Sequence, residues 1–270
     1  MKKIAIVTGG AGGMGLATAS VLGRDHQVIL CDLNQNKLDI AVTVLKQLGI
    51  SCDAVVCDIT NRDAVDALFK SAVSQGKVVA VIHTAGLSPQ MGNPEIIMKV
   101  NALGTINITE AAFAIAADGF ALVNVASMAA HLVPELLIPK RAFVHAYTNV
   151  NVFLKKALFP CRFMPKGLYR NGLAYAISKS FVIWYSRKNA ARFGEKNARI
   201  VSVSPGTFDT EMGRLEEVSG SAEMLKKAAL KRFGRPEEIA ELLAFCASDK
   251  ASYLTGVDIV CDGGVVASRG

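Results

Sequence analysis

Seven short apolar runs, each separated from the next by a longer stretch, constrain this chain more than any other feature. The runs span residues 4–7, 26–32, 52–58, 78–86, 120–127, 198–206 and 257–264, and β-branched residues dominate them. They are nearly continuous in apolar character, where a sheet with one wet face would alternate. Such strands indicate a parallel sheet covered on both faces. Parallel neighbours need crossover connections, and most of the intervening segments are long enough to be helices. Right-handed crossovers then predict an α/β fold: a doubly wound three-layer sandwich around a mostly seven-stranded parallel sheet. The 270 residues, 51% of them hydrophobic, suffice for one large core. No repeat, low-complexity tract or linker divides them, so residues 1–270 read as a single domain.

One interval breaks the rhythm. Ser127 and Tyr175 are separated by 47 residues that include Pro134, Pro139, Pro160 and Pro165. Proline interrupts helices and central strands, so 128–174 reads as an irregular or short-helical insert. It holds seven basic residues (Lys140, Arg141, Lys155, Lys156, Arg162, Lys166 and Arg170) against one acid, Glu135, which is a net +6 of the chain's +7. The remainder is close to neutral, which argues against nucleic acid as a partner. The insert also holds Phe143, Tyr147, Phe153, Phe159, Phe163 and Tyr169, six of the seventeen Phe and Tyr residues. One reading makes these a local core or subunit contact. The sharper reading makes them an apolar wall with a basic rim beside a binding site near Ser127 and Tyr175, suited to a bulky hydrophobic ligand such as a fused-ring system or an acyl chain with an anionic tail. A peripheral membrane contact fits the same composition.

Other classes are disfavoured. Only four apolar residues precede Thr8 after the opening lysines, too few for a signal-peptide core, and no run reaches the roughly 18 apolar residues of a membrane span. The six cysteines form no CxxC pair and read as reduced thiols of a cytoplasmic protein. The four histidines lack metal-ligand spacing, so no metal site is expected.

Chemistry enters at the first strand end. Thr8-Gly9-Gly10-Ala11-Gly12-Gly13-Met14-Gly15 precedes a helical pattern. Glycines there let the backbone turn tightly and approach a pyrophosphate, which the helix N-terminus then attracts. The second strand ends at Asp32, whose carboxylate can accept both ribose hydroxyls of an adenosine and repels a 2′-phosphate. No Lys or Arg lies in the glycine loop or directly after Asp32, so NAD(H) is the expected cofactor. Asp58, ending the third run, is a candidate for the adenine rim or for the N-cap of the helix from Asn61. Tyr175 and Lys179, four apart, share a helix face. A nearby ammonium lowers a tyrosine pKa from its usual value near 10, which prepares Tyr175 for proton transfer.

Taken in order, these residues resemble the short-chain dehydrogenase/reductase family over nearly the full length. Thr8-Gly9-x-x-x-Gly13-x-Gly15 matches its cofactor loop. His83-Thr84-Ala85-Gly86 matches its Asn-Asn-Ala-Gly motif with both asparagines replaced. Asn101, Ser127, Tyr175 and Lys179 fall at its four catalytic positions. Pro205-Gly206 and Thr210 match the turn flanking the nicotinamide. Segments 234–240 and 255–264 match its C-terminal half. The resemblance implies a Rossmann-type fold, with Thr8, Gly9, Gly13, Met14, Gly15, Asp32, Leu33, Asp58, Ile59, Ala85, Gly86, Tyr175, Lys179, Pro205, Gly206 and Thr210 contacting the cofactor. It implies that Tyr175 exchanges a proton with the substrate hydroxyl while Ser127 orients its oxygen. Lys179 holds the nicotinamide ribose, and Asn101 supports a water beside Lys179. The expected substrate is a secondary alcohol or ketone. Segments 85–90 and 171–176 look like the 3α-hydroxysteroid dehydrogenase/carbonyl reductase branch, which makes that substrate steroid-like.

Relatives pair through the helix bearing Tyr175 and the helix before it, so a homodimer or homotetramer is expected, with the insert covering or extending that contact. Three departures stand out: His83, the length of the insert, and a fit of the glycine loop to Gly9-x-x-Gly12-x-x-Gly15, the pattern of nucleotide-sugar epimerases. The competing functions are therefore an NAD-dependent nucleotide-sugar epimerase and a non-catalytic NAD-binding protein. Segment 211–232, rich in Glu, Lys and small residues, reads as a mobile lid.

Overall fold

A computed structural model describes residues 2–216, 225–226 and 228–269. The apolar runs become strands β1 (Lys3–Thr8), β2 (Gln27–Asp32), β3 (Cys52–Val56), β4 (Lys77–His83), β5 (Ala121–Val125), β6 (Arg199–Pro205) and β7 (Asp258–Cys261). All pair in parallel, in the order β3-β2-β1-β4-β5-β6-β7. Five strands end earlier than their apolar runs. Residues 57–58, 84–86, 126–127, 206 and 262–264 have left the ladder to form the loops above the sheet, where an apolar side chain packs as well as it does in a strand.

Strand β1 shows why the runs do not alternate. Ile4 and Ile6 face one layer, Ala5 and Val7 the other, and all four are fully buried. The first layer is α3 (Arg62–Gln75), α5 (Gly104–Ile115) and the end of α9 (Leu168–Gly194), represented by Leu68, Ile108 and Phe193. The second layer is α1 (Gly13–Leu22), α2 (Gln35–Gln47) and α11 (Pro236–Ala247), represented by Leu22, Leu38 and Leu243. Between β4 and α5, helix α4 (Pro94–Met98) runs into a π-helical turn, Lys99–Leu103.

The interval before Tyr175 folds as three short helices, α6 (Ala129–Leu132), α7 (Lys140–Phe143) and α8 (Val150–Ala157), joined through the 3₁₀ turns Glu135–Leu137, Val144–Tyr147 and Phe159–Phe163. Pro134 and Pro139 occupy the N-cap positions of the first 3₁₀ turn and of α7. The insert lies on the outer side of α9. Phe143, Phe153 and Cys161 are buried against Ile177, Phe181 and Tyr185 of α9 and Ile106 of α5. Phe143 meets Phe181 edge-on at 5.3 Å, and Phe153 lies 4.4 Å from the same ring. Burial in this cluster pushes the Cys161 thiol up to about 11. One face of α9 is therefore covered by the chain's own insert. Phe159, Phe163 and Tyr169 point outward and are exposed.

Candidate active site

The strand order reverses direction at β1, between β2 and β4, and a parallel sheet opens a crevice at the carboxyl ends of its strands at such a point. Two loops meet there. Gly9 has φ +66°, and a Cβ on it would stand 2.8 Å from the Ala85 nitrogen. A Cβ on Gly15 would stand 2.2 Å from the Gly9 oxygen. Only glycine lets the turn after β1 press against both the chain leaving β4 and the first turn of α1. Helix α1 starts beyond Gly12 with no side-chain cap, leaving its N-terminal dipole directed at the crevice.

The crevice is a cleft of about 530 Å³. Gly9, Gly13, Met14 and Gly15 of the glycine turn line it, as do Asp32, Leu33, Asp58 and Ile59 beyond the ends of β2 and β3. At the far end stand Ala85, Gly86, Ser127, Tyr175 and Lys179, closed over by Pro205, Gly206 and Thr210. Of the residues expected to contact cofactor or substrate, Thr8 and Asn101 do not line the cleft.

Asp32 is anchored by backbone. One carboxylate oxygen accepts from Leu33 N at 2.8 Å and Asn34 N at 3.3 Å, the other from Ala11 N at 3.4 Å. Asp58 accepts from Thr60 N at 2.8 Å, whereas the cap of α3 is Asn61, whose side chain accepts from Ala64 N. The N-cap alternative for Asp58 is thereby removed. A cation also lines the cleft. Lys37, one turn into α2, places its ammonium 2.7 Å from Glu211 at the start of α10 (Glu211–Glu216). Sequence inspection close to Asp32 missed it, because the helix brings Lys37 back toward the strand end.

At the chemical end, Lys179 donates to the Val125 carbonyl at 2.9 Å, and its ammonium lies 5.9 Å from the centre of the Tyr175 ring. Ser127 accepts from Ala129 N at 3.2 Å where β5 gives way to α6. Tyr175, Lys179 and Ser127 are all more than nine-tenths buried. Asn101 sits in the π turn. Its amide oxygen accepts from Leu87 N at 2.8 Å, and its Nδ2 donates to Leu87 O and Ser178 Oγ. The side chain thus holds the Gly86 turn against Lys179: a Cβ on Gly86 would come 3.3 Å from the lysine Nζ.

His83 replaces an amide side chain with a ring that touches two hydroxyls, Thr8 Oγ1 at 2.7 Å and Thr105 Oγ1 at 3.1 Å. Thr105 in turn donates to the Asn101 carbonyl at 2.7 Å. The imidazole therefore fills the space behind the cleft with its polar atoms matched.

Part of the lining is apolar: Leu87, Met91, Ile96, Val100, Met212 and Leu215. Leu87 lies in segment 85–90 and Met212 and Leu215 in the expected lid, whereas Met91, Ile96 and Val100 were not singled out by sequence. Their only signal is apolar character, Leu87 and Met91 in the loop after β4, Ile96 and Val100 in α4 and the π turn, and Met212 and Leu215 in α10 (Glu211–Glu216). The six insert aromatics do not line the cleft. The expectation that they wall the mouth is corrected: Phe143 and Phe153 face inward on α9, and Phe159, Phe163 and Tyr169 face solvent. Thr148, a hydroxyl of the insert, donates to His145 O and does not line the cleft. The expected lid at 211–232 begins as α10. Its residues 217–224 and 227 lie outside the described part.

The profile of the short chain dehydrogenase family matches residues 3–138. The chain belongs to the short-chain dehydrogenase/reductase family. A second profile, described as enoyl-(acyl carrier protein) reductase, matches residues 166–266. As a member of this family the chain is an oxidoreductase built to use a nicotinamide cofactor. It is 30% identical to a short-chain dehydrogenase/reductase of Alternaria brassicicola, over 99% of this chain and 97% of that one. A 3-oxoacyl-[acyl-carrier-protein] reductase of Thermotoga maritima is 26% identical, covering 98% of both chains. A 2-(S)-hydroxypropyl-CoM dehydrogenase of Xanthobacter autotrophicus is 28% identical over 98% of this chain and 97% of its own. Among solved structures, a short-chain dehydrogenase/reductase from Mycobacterium ulcerans shares the fold at TM-score 0.78 and 23% identity, covering 100% of this chain and 91% of its own. Among the described residues, no helix is long and apolar enough to cross a membrane.

Proposed function

We propose that this enzyme is an NAD(H)-dependent dehydrogenase of a secondary alcohol or the reductase of the matching ketone. The observation that carries the reading is the meeting of Ser127, Tyr175 and Lys179 at one end of a cleft whose other end presents Asp32. The bound nicotinamide would supply the hydride acceptor or donor. Tyr175 takes the hydroxyl proton of the alcohol, or returns one to the carbonyl oxygen. Lys179, held toward Tyr175 by the Val125 carbonyl, favours the negative charge that develops on the phenol oxygen. Ser127 hydrogen-bonds the substrate oxygen and orients the reacting carbon. Asn101 keeps the Gly86 turn, and with it Lys179, in position. Asp32 takes the adenosine ribose hydroxyls, which makes NAD(H) the preferred cofactor.

The apolar lining from Leu87 to Leu215 supports a bulky, hydrophobic substrate in the manner of the steroid and carbonyl reductase branch. Residues 1–270 act as one dinucleotide-binding unit with an insert at 128–174. Six unpaired cysteines suit a reducing compartment such as the cytoplasm. The enzyme assembles as a homo-oligomer whose contacts avoid the covered face of α9. A panel of secondary alcohols and ketones, followed by NADH absorbance, tests the reading. Turnover on large ring systems above that on 2-butanol supports it. Consistent preference for short polar alcohols would sink the substrate class, and cofactor binding without net turnover on any alcohol would point to an epimerase or a binding protein.

A further inference from the structure

The basic, aromatic character of the insert has no part in the cleft, and its arrangement on the surface gives it another use. From Phe159 to Arg170 the chain presents four large apolar side chains to solvent: Phe159, Phe163, Leu168 and Tyr169, with Phe163 75% and Tyr169 74% exposed. They fall within eleven consecutive residues. Phe159 and Phe163 meet edge-on at 5.3 Å. Arg170 draws the start of α9 against the preceding turn by donating to Met164 O at 2.8 Å and Arg162 O at 3.5 Å. Arg162 and Lys166 stand exposed between the rings, and Lys155 and Lys156 are exposed on α8.

Acids do not offset these charges. Glu135 pairs with Lys140. Glu110, which faces the insert at Tyr147, is taken by Arg192 at 2.7 Å. Glu95 of α4 is exposed and acts on the Cys161 thiol, but among the described residues it makes no ion pair with a cation of the insert. Among the described residues, none of Arg141, Lys155, Lys156, Arg162, Lys166 and Arg170 has a carboxylate within ion-pair distance. A second copy of this chain is disfavoured as the occupant, because a two-fold contact places the same cations opposite one another. An occupant must be negatively charged and must accept projecting rings.

We propose that the Phe159–Arg170 surface docks the enzyme on an anionic lipid bilayer, with Phe159, Phe163, Leu168 and Tyr169 entering the interfacial region and Arg162, Lys166, Lys155 and Lys156 meeting lipid phosphates. Aromatic rings flanked by lysine and arginine are the composition that partitions to the headgroup level. The patch is exposed and does not line the cleft, which suits a planar surface. It lies beside the cleft: Asn171 donates to Pro89 O at 3.1 Å, tying the start of α9 to the loop that rims the mouth.

Sedimentation with vesicles of phosphatidylcholine, alone or mixed with phosphatidylglycerol, tests this without reference to turnover. The protein should pellet with the mixed vesicles and bind about tenfold or more weakly to the neutral ones. Arg162→Gln with Lys166→Gln should lower binding to mixed vesicles by about tenfold or more. Phe159→Ser with Phe163→Ser should remove the part of the binding that survives high salt. All four side chains are exposed, so thermal unfolding of both variants should match the parent, which separates loss of docking from loss of fold. Absence of binding to mixed vesicles overturns the proposal. Equal binding to neutral vesicles overturns it too, as does binding unchanged in both variants. Self-association in light scattering that Phe163→Ser abolishes would assign the patch to a second copy instead.

Discussion

Thr8 donates its hydroxyl proton to Nδ1 of His83 across 2.7 Å, and the direction of that bond is set from the opposite side of the ring. Thr105 spends its proton on the Asn101 carbonyl, so its oxygen must accept from His83 Nε2–H. Nδ1 is then left as an acceptor, and Thr8 fills it. The result is a one-way chain of hydrogen bonds from the last residue of β1 to the backbone of Asn101. Burial, with a smaller contribution from the Lys179 charge, holds the His83 pKa down at about 3.

The acid response follows from that value. An unfolded histidine binds its proton near pH 6.5, whereas the folded one stays neutral down to about 3. Between those values the unfolded state holds the extra proton, so stability is complete above pH 6.5 and falls as the pH drops toward 3, at up to about 1.4 kcal/mol per pH unit from this group. His83→Asn should flatten that part of the profile. Urea unfolding at pH 7, 5.5 and 4 measures it; parallel profiles for parent and variant would remove His83 from the account.

Cofactor choice rests on Asp32 and on the Lys37–Glu211 pair. By fluorescence titration, NADH should bind about tenfold or more tightly than NADPH, since a carboxylate facing a phosphate costs at least about 1.4 kcal/mol. Asp32→Asn should narrow that ratio. Glu211→Gln should narrow it too, by releasing the Lys37 ammonium toward a 2′-phosphate, and Lys37→Ala should undo the effect of Glu211→Gln. Equal affinities in the parent enzyme would remove Asp32 from the role.

Tyr175→Phe should keep NADH affinity within about twofold and lose about a hundredfold or more in kcat, the usual loss for an acid–base group. Ser127→Ala should also fall in kcat. A Tyr175→Phe enzyme working near the parent rate on a good substrate would reject the mechanism.

Arg199 offers a stability test remote from chemistry. Its guanidinium is buried beneath the end of α11, donating to the carbonyls of Cys246 at 2.8 Å, Ser248 at 2.9 Å and Leu254 at 3.3 Å. Arg199→Leu strands three carbonyls and removes a cation from a helix C-terminus. We expect a loss of about 2–4 kcal/mol in chemical denaturation. Lys substitution should recover only part of it, lacking the planar fork. A loss under about 0.5 kcal/mol, the range of ordinary surface changes, would contradict this.

Much of the site could be read from order along the chain. Asp32 and the glycine turn are legible because a strand end is marked by the change from apolar to polar residues, and the crevice lies at strand ends. The Tyr175–Lys179 spacing is legible because four residues is one helical turn. What escaped depends on the third dimension. Lys37 and Glu211 are 174 positions apart, and no local pattern announces their meeting. Phe153 and Phe163 are the same residue type ten positions apart, yet one is fully buried against Phe181 and the other exposed. Composition does not say which face of a short helix α9 will cover. The strand ends were read too long because Cys57, Ala126 and Ala85 are as apolar as their strands, although they serve the loops.

The β5–β6 register pairs Ala121 with Arg199, 78 positions apart, with the whole insert between them. Removing the insert would roughly halve that separation. The entropy of closing a chain segment grows only with the logarithm of its length, about 0.6 kcal/mol for each doubling, so the added loop weakens the native sheet by an amount of that order. Its kinetic effect is of another kind. The pairing of β5 with β6 waits on a distant segment, and non-local parallel pairing is slow to form. Strands β1 to β5 can associate first, leaving β5 as an open edge until α9 and β6 arrive. Refolding should therefore pass through a state in which the glycine crevice exists before the helix that carries Tyr175 has docked.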